Sequence, residues 1–156
     1  MKWLALVLLL AGFLLVGALL LNRPPLFDPP GPVARLRTYL TTNVAETRPD
    51  HRQPELRTLV VPLDVKAAKA AVLDAIGRLG WGDVRVGSDE IRAVTVTPLL
   101  GFRDDVTVRL TAAEGGGTRV DARSASRVGR GDLAANERHL LDLFAALDSE
   151  TRAARP

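Results

Sequence analysis

Two short stretches concentrate the polar chemistry of this 156-residue chain: Phe102-Arg-Asp-Asp105 and Arg123-Ser-Ala-Ser-Arg127. Asp132, Asn136 and Arg138 follow closely. Adjacent carboxylates such as Asp104 and Asp105 could serve acid–base catalysis or metal binding. In a strand, however, neighbouring side chains point to opposite faces, so the two aspartates are not expected to share a ligand. Arg103, Arg123 and Arg127 have the forked donors that accept an anionic head group or a partner's carboxylate. Ser124 and Ser126 have no evident base. No H-x-x-x-H, no metal-ligand spacing and no G-x-S-x-G occurs, so no metal and no cofactor is expected.

The elements that position these residues follow from local pattern. Val106 to Thr111 and Arg119 to Val128 alternate as half-buried strands do, and Glu114-Gly-Gly-Gly117 is the turn between them. Pairing Leu110 with Val120 sets Val108 opposite Ala122 and Val106 opposite Ser124 on the core face. The same register sets Arg109 opposite Asp121 and Thr107 opposite Arg123 on the other face. Arg103, Asp105 and Arg127 then gather with these into a polar patch away from the helices. As exposed ion pairs they contribute about 0–1 kcal/mol each; as a site they could hold an anion. In the last helix, Leu133, Leu140, Leu143, Phe144 and Leu147 form an apolar stripe with Asn136 in its middle. A buried amide needs partners, so Asn136 is expected to tie the 128–132 loop or a strand end to the helix, or else to contact a ligand. Asp132 is expected to cap that helix.

Upstream, Thr58 to Leu63 reads as a strand, and Asp64 caps a helix that ends at Gly80. Val84 to Val86 and Ile91 to Thr97 read as further strands. The order β-α-β-β-β-β-α predicts an α+β fold: a mainly antiparallel sheet with two helices on one face. This domain spans residues 56–148, followed by a frayed tail at 149–156.

Trp3 to Leu21 is a run of 19 residues without a charged or polar side chain. As a helix it spans roughly 28 Å, close to the ~30 Å hydrocarbon core of a bilayer. It exceeds a signal-peptide core and no A-x-A-like site follows, so residues 1–22 are expected to be a single transmembrane anchor. Residues 23–32 are expected to be an extended, Pro-rich spacer giving roughly 30 Å of stand-off, at ~3 Å per residue. Residues 33–55 read as an irregular arm. Flanking charges lean toward a cytoplasmic domain, whereas the short positive N-terminus favours sending the rest across. We expect a single-pass protein of the cytoplasmic membrane with its domain extracytoplasmic.

Of the 21 basic residues 18 are arginine, scattered rather than striped and without interleaved aromatics, which excludes a nucleic-acid surface. The chain has no cysteine. The leading expectation is a non-enzymatic binding or assembly domain for a lipid head group or an envelope protein. The rivals are a small hydrolase or transferase using Asp104 or Asp105 with Arg123 and Arg127, and a purely structural envelope protein.

Gly101-Phe-Arg-Asp-Asp-Val106, then Val120-Asp-Ala-Arg-Ser-Ala-Ser-Arg-Val-Gly-Arg-Gly-Asp-Leu133 and Asn136, resembles the signature of the domain of unknown function 1499 family. That pattern is G-F-x-D-D-V, R-S-A-S-R-x-G-x-x-D, then an Asn and a basic residue, here Arg138. The resemblance covers roughly residues 40–147. It implies Phe102, Asp104, Ser124, Ser126 and Asp132 as motif residues, and a membrane or export segment, but no reaction. Members often carry a Cys in an N-C-V-S-like stretch. Asn43-Val-Ala-Glu-Thr47 has none, so thiol chemistry could not operate here.

Overall fold

A computed structural model describes residues 2–97 and 101–153. Met1 and the last three positions of the expected tail, 154–156, lie outside the described residues. The first helix, α1 (Lys2–Asn22), buries none of its residues and is long and apolar enough to cross a membrane.

The rest is an α+β unit. Strands β1 (Val44–Glu46), β2 (Leu59–Val61), β3 (Gly82–Val86), β4 (Glu90–Val96), β5 (Arg103–Ala112) and β6 (Thr118–Ser126) form one antiparallel sheet. Its order is β1-β6-β5-β4-β3, with β2 also on β6, end to end with β1. Helices α3 (Val65–Arg78) and α4 (Ala135–Ala153) pack on one face. Between them lies a core of Ile76, Ile91, Val106, Val108, Leu110, Val120, Leu140, Leu143 and Leu147. Alternation decides which β5 and β6 side chains enter this core. The Asp64 carboxylate accepts the Ala67 amide at the start of α3. Gly80, at φ +68°, ends that helix in the left-handed conformation that glycine adopts without strain.

The expected hairpin register is observed throughout: Leu110 pairs with Val120, Val106 with Ser124, Arg109 with Asp121 and Thr107 with Arg123. The ion pairing differs. Arg109 binds Glu90 on β4 at 2.9 Å, whereas Asp121 takes Arg119 and the Thr58 hydroxyl. Arg109 stands directly opposite Glu90 on β4 as well as Asp121 on β6, and its side chain takes the Glu90 partner.

Segment 33–55 is not irregular. It holds α2 (Pro32–Thr41), β1 and a single 3₁₀ turn, Pro54–Leu56. The face α2 buries carries Arg35 and Tyr39 rather than an apolar stripe, so hydrophobic periodicity could not reveal it. Nor is the spacer extended. Amides of Leu26, Asp28 and Gly31 close turns on Pro24, Pro25 and Asp28. The buried Arg35 guanidinium then draws the segment in, donating to the Asp28 carbonyl at 3.0 Å and the Pro29 carbonyl at 2.7 Å. The same group meets Glu55 at 2.6 Å and Glu137 at 3.3 Å, while Tyr39 and Gln53 also donate to Glu137. At the other end of the spacer, the Asn22 amide of α1 donates to the Leu133 carbonyl at 2.8 Å. The foot of the domain therefore sits directly against the end of the apolar helix.

The last helix starts two residues later than expected and runs to Ala153 rather than ending near Leu147. Leu133 and Ala134 intervene in the left-handed region, at φ 52° and 71°. Such a conformation costs of order 1–3 kcal/mol per non-glycine residue and persists where surroundings enforce it. Here the Leu133 amide donates to Tyr39, the Leu133 carbonyl accepts from Asn22, and the Ala134 amide donates to Asp132. Gly131 completes the loop. A Cβ there would lie 2.5 Å from the Leu40 carbonyl oxygen, so only glycine permits this approach to α2.

Candidate functional site

The motif residues divide between the two faces of the β5–β6 hairpin. On the face away from the helices, Arg127 makes a forked pair with Asp105, at 3.0 Å from Nε and 2.7 Å from its terminal nitrogen. This guanidinium holds the Asp105 carboxyl below its ordinary range, and the carboxylate in turn raises Arg127. Arg103 faces Asp83 at 3.5 Å and Arg123 reaches Glu46 at 3.9 Å. The expected patch is thus assembled, but these pairs are about half exposed and each arginine already has a carboxylate. A hollow of about 330 Å³ lies within the patch, between Asp83, Arg85, Arg92, Asp105 and Arg127.

The other half of the motif turns inward. Asp104, Ser124 and Asn136 are each fully buried. Asn136 Nδ2 lies 2.9 Å from the Asn43 carbonyl, 2.8 Å from Ser126 Oγ and 2.7 Å from an Asp132 carboxylate oxygen. A carbonyl and a carboxylate only accept, so the nitrogen must face them and the amide oxygen must face Ser124. The Ser124 hydroxyl donates to that oxygen at 2.6 Å. Asp132 also accepts the Ala134 and Asn136 amides, capping α4 from outside its first turn. Burial raises its carboxyl above the usual range, and the Asn136 amide opposes the rise. One amide thereby joins the end of β6, the start of β1 and the loop before α4.

His139, one turn along α4, is the residue that sequence reasoning missed. Its Nδ1 lies 3.3 Å from Ser124 Oγ and 3.6 Å from Asp104 Oδ2. Because Ser124 has given its proton to Asn136, its free lone pair faces Nδ1, which assigns the ring proton to Nδ1 and leaves Nε2 a bare acceptor. Nε2 has no hydrogen-bond partner among the described residues. Burial holds the imidazole down to about 4, with Asp142 opposing, so at neutral pH it is uncharged. The only sequence signal was spacing: His139 stands three positions after Asn136, on the same face of a helix.

Asp104 has the least settled environment. Neither carboxyl oxygen meets a hydrogen-bond donor at bonding geometry among the described residues. Burial pushes its carboxyl above the ordinary range, and only the nearby Ser126 hydroxyl pulls the other way. Ser124, His139 and Asp104 are nevertheless not a nucleophilic relay. A relay needs serine and aspartate on opposite ring nitrogens, whereas here both approach Nδ1 and Ser124 has no exposed surface.

Above this cluster runs a groove of about 440 Å³. Trp81, Val96, Phe102, Val128 and Leu133 give it apolar walls, and Ser126, Asp132, Arg138 and His139 line it with polar groups. Ala18, Leu21 and Asn22 at the end of α1 complete it. The Trp81 and His139 rings meet edge to face, with centroids 6.3 Å apart. Arg138 enters not as a free cation but paired with Asp142, at 2.8 Å through Nε. A larger cleft of about 920 Å³ lies between α2 and residues 48–53, but it contains none of the motif residues. Of the expected site residues, the groove therefore gathers Phe102, Ser126, Asp132 and Arg138 over Asp104, Ser124 and Asn136. Arg103, Asp105, Arg123 and Arg127 stay on the opposite face of the sheet.

An antiparallel sheet with two helices on one face and a buried polar knot at one end, behind an apolar N-terminal helix, defines the class. The chain belongs to the family described as protein of unknown function (DUF1499), which matches residues 30–147. That span includes α2 and β1, consistent with their bonds into the domain. No curated protein matches the chain.

Proposed function

We propose that this chain is a single-pass membrane protein whose domain lies against the lipid surface and binds an amphiphilic lipid without transforming it. The observation that supports this reading is the groove. It combines apolar walls with a few convergent polar groups, the usual make-up of a small-molecule site, and the end of α1 forms part of it. With α1 in a bilayer, those residues stand at the lipid–water boundary, so a lipid reaches the groove without crossing water. The exposed Phe27 just past α1 suits the same interface. In this reading the Arg/Asp patch is a charge lattice on the distal face. A hydrolase or transferase built on Asp105 or Asp104 has less support, because Asp105 is ion-paired and Asp104 has no exposed surface.

Native mass spectrometry of the full chain, released from its membrane in mild detergent, tests this. A reproducible bound lipid mass, lost in Val128→Asp and Val96→Asp, is the expected result; both residues are exposed on the groove wall. A bare chain, or a bound mass indifferent to both changes, would overturn the reading. We further place the domain extracytoplasmically. A single cysteine at the exposed Glu114 should then react with an impermeant maleimide in intact cells, and labelling only after lysis would reverse the topology.

A further inference from the structure

We propose that the groove selects a neutral, hydroxyl-headed acyl amphiphile, of the monoacylglycerol kind, over a phosphate-headed one, with His139 Nε2 receiving the head-group hydroxyl. This rests on the groove reading and adds the chemistry of the head group.

The argument is a count of donors and acceptors. A phosphate needs free N–H donors or an unpaired cation. Arg138 is the only cation lining the groove among the described residues, and both arms of its fork are held by Asp142. The Leu133 amide, on the same wall, already donates to Tyr39. Asp132 contributes a carboxylate, Asp142 a second, and Asp104 a third just behind Ser126 and His139. An incoming phosphate would meet carboxylates and no unpaired cation among the described residues.

A hydroxyl meets the reverse. The hydrogen-bond chain from Asn136 through Ser124 to His139 fixes the ring proton on Nδ1, so Nε2 offers a lone pair at the groove. Ser126 Oγ accepts from Asn136, and its hydroxyl is a second polar group on the groove lining. Behind them sits Asp104, fully buried and without a donor. The acyl chain then lies along Trp81, Phe102 and Val128 toward Leu21 of α1.

The test uses Trp81 as the reporter. In the full chain carrying Trp3→Phe, Trp81 is the sole tryptophan. The protein is placed in nanodiscs of unbrominated phosphatidylcholine and titrated with monoacylglycerol, or with lysophosphatidate, brominated on the acyl chain. We expect saturable quenching by the monoacylglycerol, half-saturating at least fivefold lower than lysophosphatidate. His139→Leu should remove most of that preference by weakening monoacylglycerol about fivefold, the weight of one hydrogen bond. His139→Gln, which retains an acceptor, should restore part of it and guards against a mere folding defect. Equal or tighter lysophosphatidate binding would overturn the head-group assignment while leaving the groove reading intact. A preference unchanged in His139→Leu would overturn the role of His139. No quenching by either amphiphile would instead remove the groove reading itself.

Discussion

The β5–β6 hairpin presents two faces built from interleaved residues of one motif. Arg103, Asp105, Arg123 and Arg127 point outward, while Asp104, Ser124 and Asn136's partner Ser126 point toward α4. Outside, Arg103, Arg123 and Arg127 each find a carboxylate in water, and the loss of one pair is absorbed by solvent. Inside, one amide takes the Ser124 hydroxyl on its oxygen and shares its two N–H groups among three acceptors, while one carboxyl has no partner at bonding geometry. The difference teaches where to look for function. An exposed lattice of opposite charges is what a solvated sheet face looks like anyway, whereas an orphaned buried acid needs a reason.

The comparison breaks most visibly at Asn136. Asn136→Ala would strand the Ser124 hydroxyl, the Asn43 carbonyl and the Asp132 carboxylate together. We expect a loss of about 3 kcal/mol and a melting temperature lower by more than ~10 °C, read by circular dichroism. A loss no greater than that of an exposed ion pair would erase the distinction between the faces.

A second buried network sharpens it through pH. Burial and the neighbouring Glu55 push the Glu137 carboxyl up to about 7, against the pull of Arg35. The unfolded value is 4.5, so between 4.5 and 7 the folded chain holds more protons than the unfolded one. Stability from this group is therefore full below pH 4.5 and declines as pH rises through 7. Glu137→Gln should flatten that decline in chemical-denaturation curves; an unchanged slope would assign it elsewhere.

The smallest effect belongs to the outer face. Arg127→Ala and Asp105→Ala should each change stability by less than about 1 kcal/mol, with a coupling of about 0–1 kcal/mol in a double-mutant cycle. Lipid binding measured on both variants should match the parent chain. A large loss of binding would return the site to the patch.

The hairpin was legible in the sequence because period-two alternation and the Arg109–Asp121 juxtaposition favour a single register, and the structure has that register. Asn136 stood out because an amide interrupts an apolar stripe. Arg35 gave no such signal: its burial rests on Glu55 and Glu137, partners 20 and 102 positions away. Helix α2 was invisible for the same reason, since its buried face is polar. His139 went unnoticed because its relation to Asp104 and Ser124 exists only once β5, β6 and α4 are packed. The spacer's prolines suggested extension, but Arg35 and Asn22 hold its two ends to the domain.

The central claim is that Asp104, buried beneath the groove without a donor at bonding geometry, is kept at a cost to stability. Thermal melting of Asp104→Asn against the parent chain, from pH 4 to 8, tests this most directly. The Asp104 carboxyl titrates above its unfolded value of 3.8, so the parent loses stability as pH rises past that value, and the amide does not. The account predicts a variant more stable by about 1 kcal/mol at pH 7, with the gain shrinking toward pH 4. A variant less stable than the parent at pH 7 would show that the carboxylate holds the fold together, and would contradict the account.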